Sequence, residues 1–253
     1  ERIIAEDKRW PGIEDDYQIF LRERGLEKHH ANTLEGYKEN KGAVINKFSR
    51  EESVDHFVAD EAARWIDEYK NDAPMAMMVC FPGPHCPYDP HPEYLEQVRQ
   101  EAVPHPIPGE PDIAPETVKK NQTVNLRPWN GVDYSDATPE QFKKVRTHYA
   151  ALVKQLDDEV GIIIQALRDR GIWDNTVVIF AADHGDFLGD HGMVGKGAFF
   201  DPAMRVPLIV NTPDTRGGAS PPIGGAALPR TEEASSERQI VDAPVQLRDI
   251  TAT

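Results

Sequence analysis

Apolar residues along the chain follow two different rhythms. Phe142, Val145, Tyr149, Leu152, Leu156, Val160, Ile163 and Leu167 recur at spacings of three and four, which predicts a helix of about seven turns with one buried face. Its start is marked by Thr138 as N-cap, Pro139 at the first helical position and Gln141 completing a capping box, and Gly171 is a natural stop. Val54, Val58, Ala62, Trp65 and Tyr69 predict a second helix after Glu51, ended by Asn71-Asp72-Ala73-Pro74. A shorter helix is expected from about Ile13 to Arg24.

The other rhythm is a continuous apolar run. Met75 to Phe81, Val177 to Ala182 and Val206 to Val210 each read as a strand buried on both faces. Helix precedes strand in the first two cases, as in crossover units. The expected fold class is therefore α/β, a predominantly parallel (mixed) β-sheet sandwiched by helices. Residues 82–136 hold eleven of the 21 prolines and little periodicity, so they read as a long Pro-rich loop inserted at the end of the first strand. Residues 214–238, rich in Gly, Ala, Pro and Ser, read as a surface excursion. Apolar patterning resumes at Ile240 and breaks off at Thr253, so both ends look cut and the fold incomplete.

Composition narrows the possibilities. A chain of 253 residues suffices for one large domain. Its formal charge of -15 argues against a general nucleic-acid binder, which needs a basic footprint. No segment approaches the roughly 18 consecutive apolar residues of a membrane span. The two cysteines, Cys80 and Cys86, are six residues apart and could pair, but they read rather as two free thiols, one of them buried in a strand. Neither they nor the sequon at Asn121-Gln122-Thr123 selects a compartment, and nothing selects an oligomeric state.

Candidate chemistry gathers where strands end. Asp183 and His184 follow the Val177 run directly, at the edge where open α/β sheets place their active sites. Such an ionisable pair is costly unless compensated, and a divalent cation compensates it. The alternative is an ordinary turn with Asp183 capping a helix. His85, off the end of the Met75 run, shares that sheet edge if the strands are parallel; otherwise it packs among prolines. Lys196 stands between Gly195 and Gly197, which permit close backbone approach to a ligand, or else it is a solvated lysine. Asp190-His191 repeats the acid–imidazole pair and offers a second metal site, a contact to substrate, or a structural role. Asp186 reads as a helix cap, Arg205 as one half of a structural ion pair, Trp65 and Trp173 as core, and His29-His30 as solvated.

Four ordered blocks resemble the sulfatase branch of the alkaline-phosphatase-like superfamily. They are Pro84-His85-Cys86-Pro87-Tyr88 with Pro90 and Tyr94; Tyr149 through Gly171-Ile172-Trp173-Asp174-Asn175-Thr176; Ala182-Asp183-His184-Gly185-Asp186 with Leu188-Gly189-Asp190-His191-Gly192; and Gly195-Lys196 with Arg205-Val206-Pro207-Leu208-Ile209-Val210. The Asp201 to Arg205 run is similar to the bacterial sulfatase and phosphonate monoester hydrolase subgroup. The resemblance implies that Asp183 and His184 hold one divalent cation, Ca²⁺ or else Mn²⁺ or Mg²⁺. It implies that His85 and Lys196 act catalytically on the leaving-group side of a small-molecule sulfate ester, with His191 as a further substrate contact.

One family feature has no counterpart. The Cys-x-Pro-x-Arg block whose cysteine becomes the formylglycine nucleophile is missing, and Cys80-Phe81-Pro82-Gly83-Pro84 lacks the arginine. The chain is therefore expected to be an internal part, residues 1–253, of one sulfatase-like catalytic domain, with formylglycine supplied upstream and the fragment alone inactive. Alternatives are a phosphonate monoester or phosphodiester hydrolase on the same site, and a catalytically degenerate relative kept for binding or structure.

Overall fold

A computed structural model describes residues 14–28, 33–70, 73–109, 115–128 and 130–213. The expected surface excursion at 214–238, the apolar return at Ile240 and the His29-His30 pair lie outside the described residues.

Helix α1 (Asp16–Glu23) starts where Asp15 accepts a hydrogen bond from the Gln18 amide. Helix α2 (Val54–Glu68) is capped by Ser53 and buries Val54, Phe57, Ala59, Ala62 and Ile66. Trp65, expected in the core, is only half-buried and stacks on Tyr69 with centroids 4.9 Å apart. The short α3 (Pro92–Leu95) and then α4 (Pro115–Asn125) follow. The expected loop at 82–136 is thus partly helical. The backbone of α5 (Pro139–Asp169) follows the sequence pattern closely: Thr138 and Gln141 form both capping-box bonds, and Gly171 turns the chain with φ 73°.

The strands do not bear out the expected parallel pairing. Val178–Ala181 (β1) and Leu208–Asn211 (β2) pair, but antiparallel, with Ile179 opposite Val210. A parallel neighbour requires a crossover connection, usually a helix. Between β1 and β2 the only α-helix is α6 (Asp201–Met204), four residues long, and the chain simply returns. Met75 to Phe81 forms no strand, and Met78 is 89% exposed. Cys80 is accordingly exposed, whereas Cys86 is buried.

Three apolar clusters hold the described residues together. The largest joins the first half of α5 (Phe142, Val145, Leu152) to Tyr37, Tyr88, Tyr134 and Val194. Tyr17, Leu21, Val54 and Phe57 join α1 to α2, and Phe187, Met193 and Ala203 close a third cluster. A buried ionic knot also pins α2 to α5. Glu159, fully enclosed, accepts from Arg50 Nε and His56 Nδ1, each at 2.8 Å.

Candidate functional site

The segment carrying His85 is anchored from behind. Tyr88, wholly buried, forms an isolated parallel bridge with Ala43: its amide donates to Gly42 and its carbonyl accepts from Val44. His148 of α5 places Nδ1 3.0 Å from the Tyr88 carbonyl and 3.1 Å from that of Val44. Carbonyl oxygens only accept, so Nδ1 carries the proton. Burial pushes the His148 imidazole down, towards the neutral form this geometry uses. His85 is half-buried, with its own Nδ1 2.9 Å from the Cys86 carbonyl, which by the same reasoning makes that nitrogen the donor.

Beyond β1 the chain opens. Asp183 Oδ1 accepts from the His184 amide at 2.9 Å, and Oδ2 lies 3.4 Å from His184 Nε2. His184 Nδ1 stands 2.8 Å from the Gly185 carbonyl, which only accepts, so Nδ1 is the donor there and Nε2 is the nitrogen nearest Asp183. The Asp183 side chain is 85% exposed and that of His184 31%. Cation–ligand bonds of about 2.0–2.5 Å put neighbouring ligands roughly 3–3.5 Å apart, and the separation of Oδ2 from Nε2 fits that spacing. The pair offers two candidate ligand atoms; among the described residues no group of three or more His, Cys, Asp or Glu side chains is placed to hold a metal.

Gly185 is required here by packing. Its amide donates to Ala203, and a Cβ at this position would overlap the Pro202 carbonyl. Phe187 and Met193, fully buried, fix the base of the following loop. Gly189 at φ 96° lies so close to the Phe142 ring that a Cβ would stand 2.6 Å from it.

Asp186 does not cap a helix. Its Oδ1 accepts from the amides of Leu188 at 2.9 Å and Gly195 at 2.8 Å, and its Oδ2 accepts from Tyr88 Oη at 2.9 Å. Burial pushes the Asp186 carboxyl up, and it raises the Tyr88 phenol well above its usual range, with the Asp186 charge adding to the effect. Tyr88 therefore stays a donor. His85, the Asp183–His184 pair and Lys196 all lie within three residues of a partner in this one cluster. Three residues of extended chain span at most about 10 Å, so the three segments are neighbours.

Lys196 itself is exposed. Its backbone is held from the other side by α4, where Asn121 Nδ2 donates to the carbonyls of Val194 and Lys196. His191 is placed differently. It sits at φ 56°, its amide donates to Ile107, its ring lies 5.1 Å from that of Phe200, and its Nδ1 is enclosed without a hydrogen-bond partner. Asp190 beside it is taken up by Arg146 at 2.8 Å and the Ile107 amide at 2.7 Å. Arg205 pairs with Asp201 at 3.6 Å on the surface, both side chains about four-fifths exposed. Trp173 is half-buried, with the Arg168 guanidinium 5.0 Å over its ring.

Sequence reasoning passed over Asn121 and misread Asp186. The only sequence signal for Asp186 was its place two residues after His184, and its long-range partner Tyr88 is 98 residues away.

The sulfatase family model matches residues 10–253. The arylsulfatase of Clostridium perfringens (strain 13 / Type A) is 25% identical over 201 residues, 79% of this chain and 40% of its own length. The iduronate 2-sulfatase of Mus musculus is 31% identical over 200 residues, 76% of this chain and 36% of its own length. Among solved structures, the phosphonate monoester hydrolase of Agrobacterium radiobacter aligns with a TM-score of 0.62 at 29% identity, covering 82% of this chain and 43% of that one. The chain thus spans 40% or less of the length of these two curated relatives. A match over nearly all its residues, with the Asp183–His184 and Lys196 loops inside it, leads to one conclusion: the chain belongs to the sulfatase family.

Proposed function

We propose that these residues form part of the active site of a metal-dependent sulfate ester hydrolase. The observation that carries this reading is the Asp183–His184 pair: a carboxylate oxygen and an imidazole nitrogen 3.4 Å apart on an open loop. A divalent cation bound there, Ca²⁺ by family resemblance, supplies Lewis acidity to the ester oxygens. Lys196 offers an ammonium charge to the departing oxygen, and His85, protonated, donates a hydrogen bond or a proton to it. His191, with its ring against Phe200, contributes to the substrate wall. The nucleophile, a formylglycine by resemblance, comes from outside residues 1–253. Cys86 is buried, and Cys80 lacks the arginine of the maturation motif. In this reading the 253 residues form an internal part of one catalytic domain and are inactive alone.

In the full-length protein, Asp183→Ala is expected to abolish hydrolysis of an aryl sulfate and lower the bound divalent metal measured by elemental analysis. Unchanged metal stoichiometry removes Asp183 from the site.

A second reading is favoured by the likeness to the Agrobacterium radiobacter phosphonate monoester hydrolase. The same residues would then act on a phosphonate monoester or phosphodiester. Comparing kcat/KM for matched aryl sulfates, phosphonates and phosphodiesters separates the two. Turnover of none of them, in protein that retains the metal, favours a relative kept for binding or structure.

A further inference from the structure

Asp186 connects segments that the proposed chemistry needs to keep in register. Tyr88 is the fixed end of the connection: its ring is wholly buried, and its amide and carbonyl are both engaged by the Gly42–Val44 strip. The other ends are the two loops. Lys196 stands between Gly195 at φ 74° and Gly197 at φ 107°, and its own carbonyl is held by Asn121 of α4. Leu188 belongs to the loop that begins with Asp183-His184.

We propose that the Asp186 carboxylate is a positioning residue, setting His85, the Asp183–His184 pair and Lys196 relative to one another through its bonds to Tyr88 Oη, Leu188 N and Gly195 N. The inference rests on the function proposed above, because it assumes that His85 and Lys196 act on one leaving group. A carboxyl group suits the task, because its two oxygens meet all three donors at once. An asparagine retains most of the geometry, with Oδ1 accepting from both amides and Nδ2 donating to the phenol oxygen. An alanine releases all three partners.

The test uses the full-length protein and a series of aryl sulfates whose phenols differ in acidity, with kcat/KM plotted against leaving-group pKa. Two groups that neutralise the departing oxygen keep this plot shallow. Lys196→Ala must steepen it; if it does not, the assignment of Lys196 fails, and the positioning proposal fails with it. Given that response, Asp186→Ala is expected to steepen the plot too, with kcat/KM falling about 10- to 100-fold for the poorest leaving groups, since a misplacement near 1 Å costs about that much. Tyr88→Phe is expected to steepen it partially, and Asp186→Asn to recover most of the shallow slope lost in the alanine variant.

A merely structural role predicts something else. Loss of folded protein lowers every rate by the same factor and leaves the slope alone. A wild-type slope in both Asp186→Ala and Tyr88→Phe, while Lys196→Ala steepens it, overturns the proposal. Should Asp186→Ala fail to fold, Tyr88→Phe decides: its slope either steepens or the proposal is wrong.

Discussion

Asn121 holds the backbone of Lys196 from a different element. Its Nδ2 donates to the Lys196 carbonyl at 3.1 Å and the Val194 carbonyl at 3.0 Å, and its Oδ1 accepts from the Val194 amide at 3.2 Å. Asn125, one turn on, adds a bond to the Val194 carbonyl at 3.1 Å. Asn121→Asp would turn an oxygen towards two carbonyls. It is expected to cost about 1–3 kcal/mol, the penalty of leaving buried acceptors unmet, measured by chemical denaturation. A stability equal to wild type would show that this clamp is dispensable.

The same enclosure bears on the Asn121-Gln122-Thr123 sequon. Asn121 is only 7% exposed and its amide is fully occupied. Folded chain is therefore expected to resist glycan transfer in a cell-free glycosylation assay, and denatured chain to accept it. Modification of folded chain at Asn121, seen as added mass on that peptide, contradicts the placement of α4.

Around Glu159 the sign of the pH dependence can be worked out. The hydrogen bond to Glu159 raises the His56 imidazole above its ordinary value. Burial pushes Glu159 up, but bonds from His56 and Arg50 outweigh it and leave the carboxyl below its usual range. A raised histidine stabilises the fold fully below its unfolded value of about 6.5, and loses that contribution as pH rises through the folded value. A lowered glutamate does so above its unfolded value of about 4.3, and loses it as pH falls through the folded value. Both act together between about pH 4.5 and 6.5. The stability difference between wild type and His56→Gln should be largest there and shrink at higher pH. Burial lowers His91 and His148, which by themselves cost stability in acid, but the difference between the two proteins cancels them. Glu159→Ala, which strands Arg50 and His56, should cost about 3–5 kcal/mol near neutral pH. A pH-independent difference for His56→Gln would contradict the pairing.

Two glycines separate packing from backbone strain. At Gly185 an added Cβ overlaps the Pro202 carbonyl, so Gly185→Ala must move backbone beside His184. A destabilisation of about 1–3 kcal/mol is expected, with weakened metal retention in the full-length protein. Gly171 has nothing within 4 Å of a Cβ, only φ 73°. Gly171→Ala should cost about 1 kcal/mol and leave metal content unchanged. Equal effects of the two on metal retention would refute the distinction.

The thiols differ in access. In the native 253-residue chain Cys80 should react promptly with a thiol reagent and Cys86 should not, with both reacting after denaturation. Prompt reaction of two thiols would place Cys86 outside the core.

Helix α5 was readable because everything that specifies it is local. A cap, a proline at the first position, and eight apolar residues at helical spacing lie within one segment. Helix α4 was not readable for the opposite reason. The residues it buries are Asn121 and Asn125, so it is held by amide bonds to another loop and leaves no apolar stripe to detect. Met75 to Phe81 shows the limit of an apolar run. Without a neighbouring strand among the described residues it forms no ladder, because hydrophobicity specifies burial and a sheet needs a hydrogen-bonding partner.

Asp183, His184, His85 and Lys196 could be picked out as candidates from residue type and their places after apolar runs or between glycines. Their chemistry is intrinsic to the side chains and survives without coordinates. Strand direction could not, since antiparallel return or parallel crossover depends on how 26 intervening residues pack. The bonding of Asp186 was also decided only by folding: one carboxylate collects donors from three stretches of chain, and that coincidence exists in space and not along the sequence.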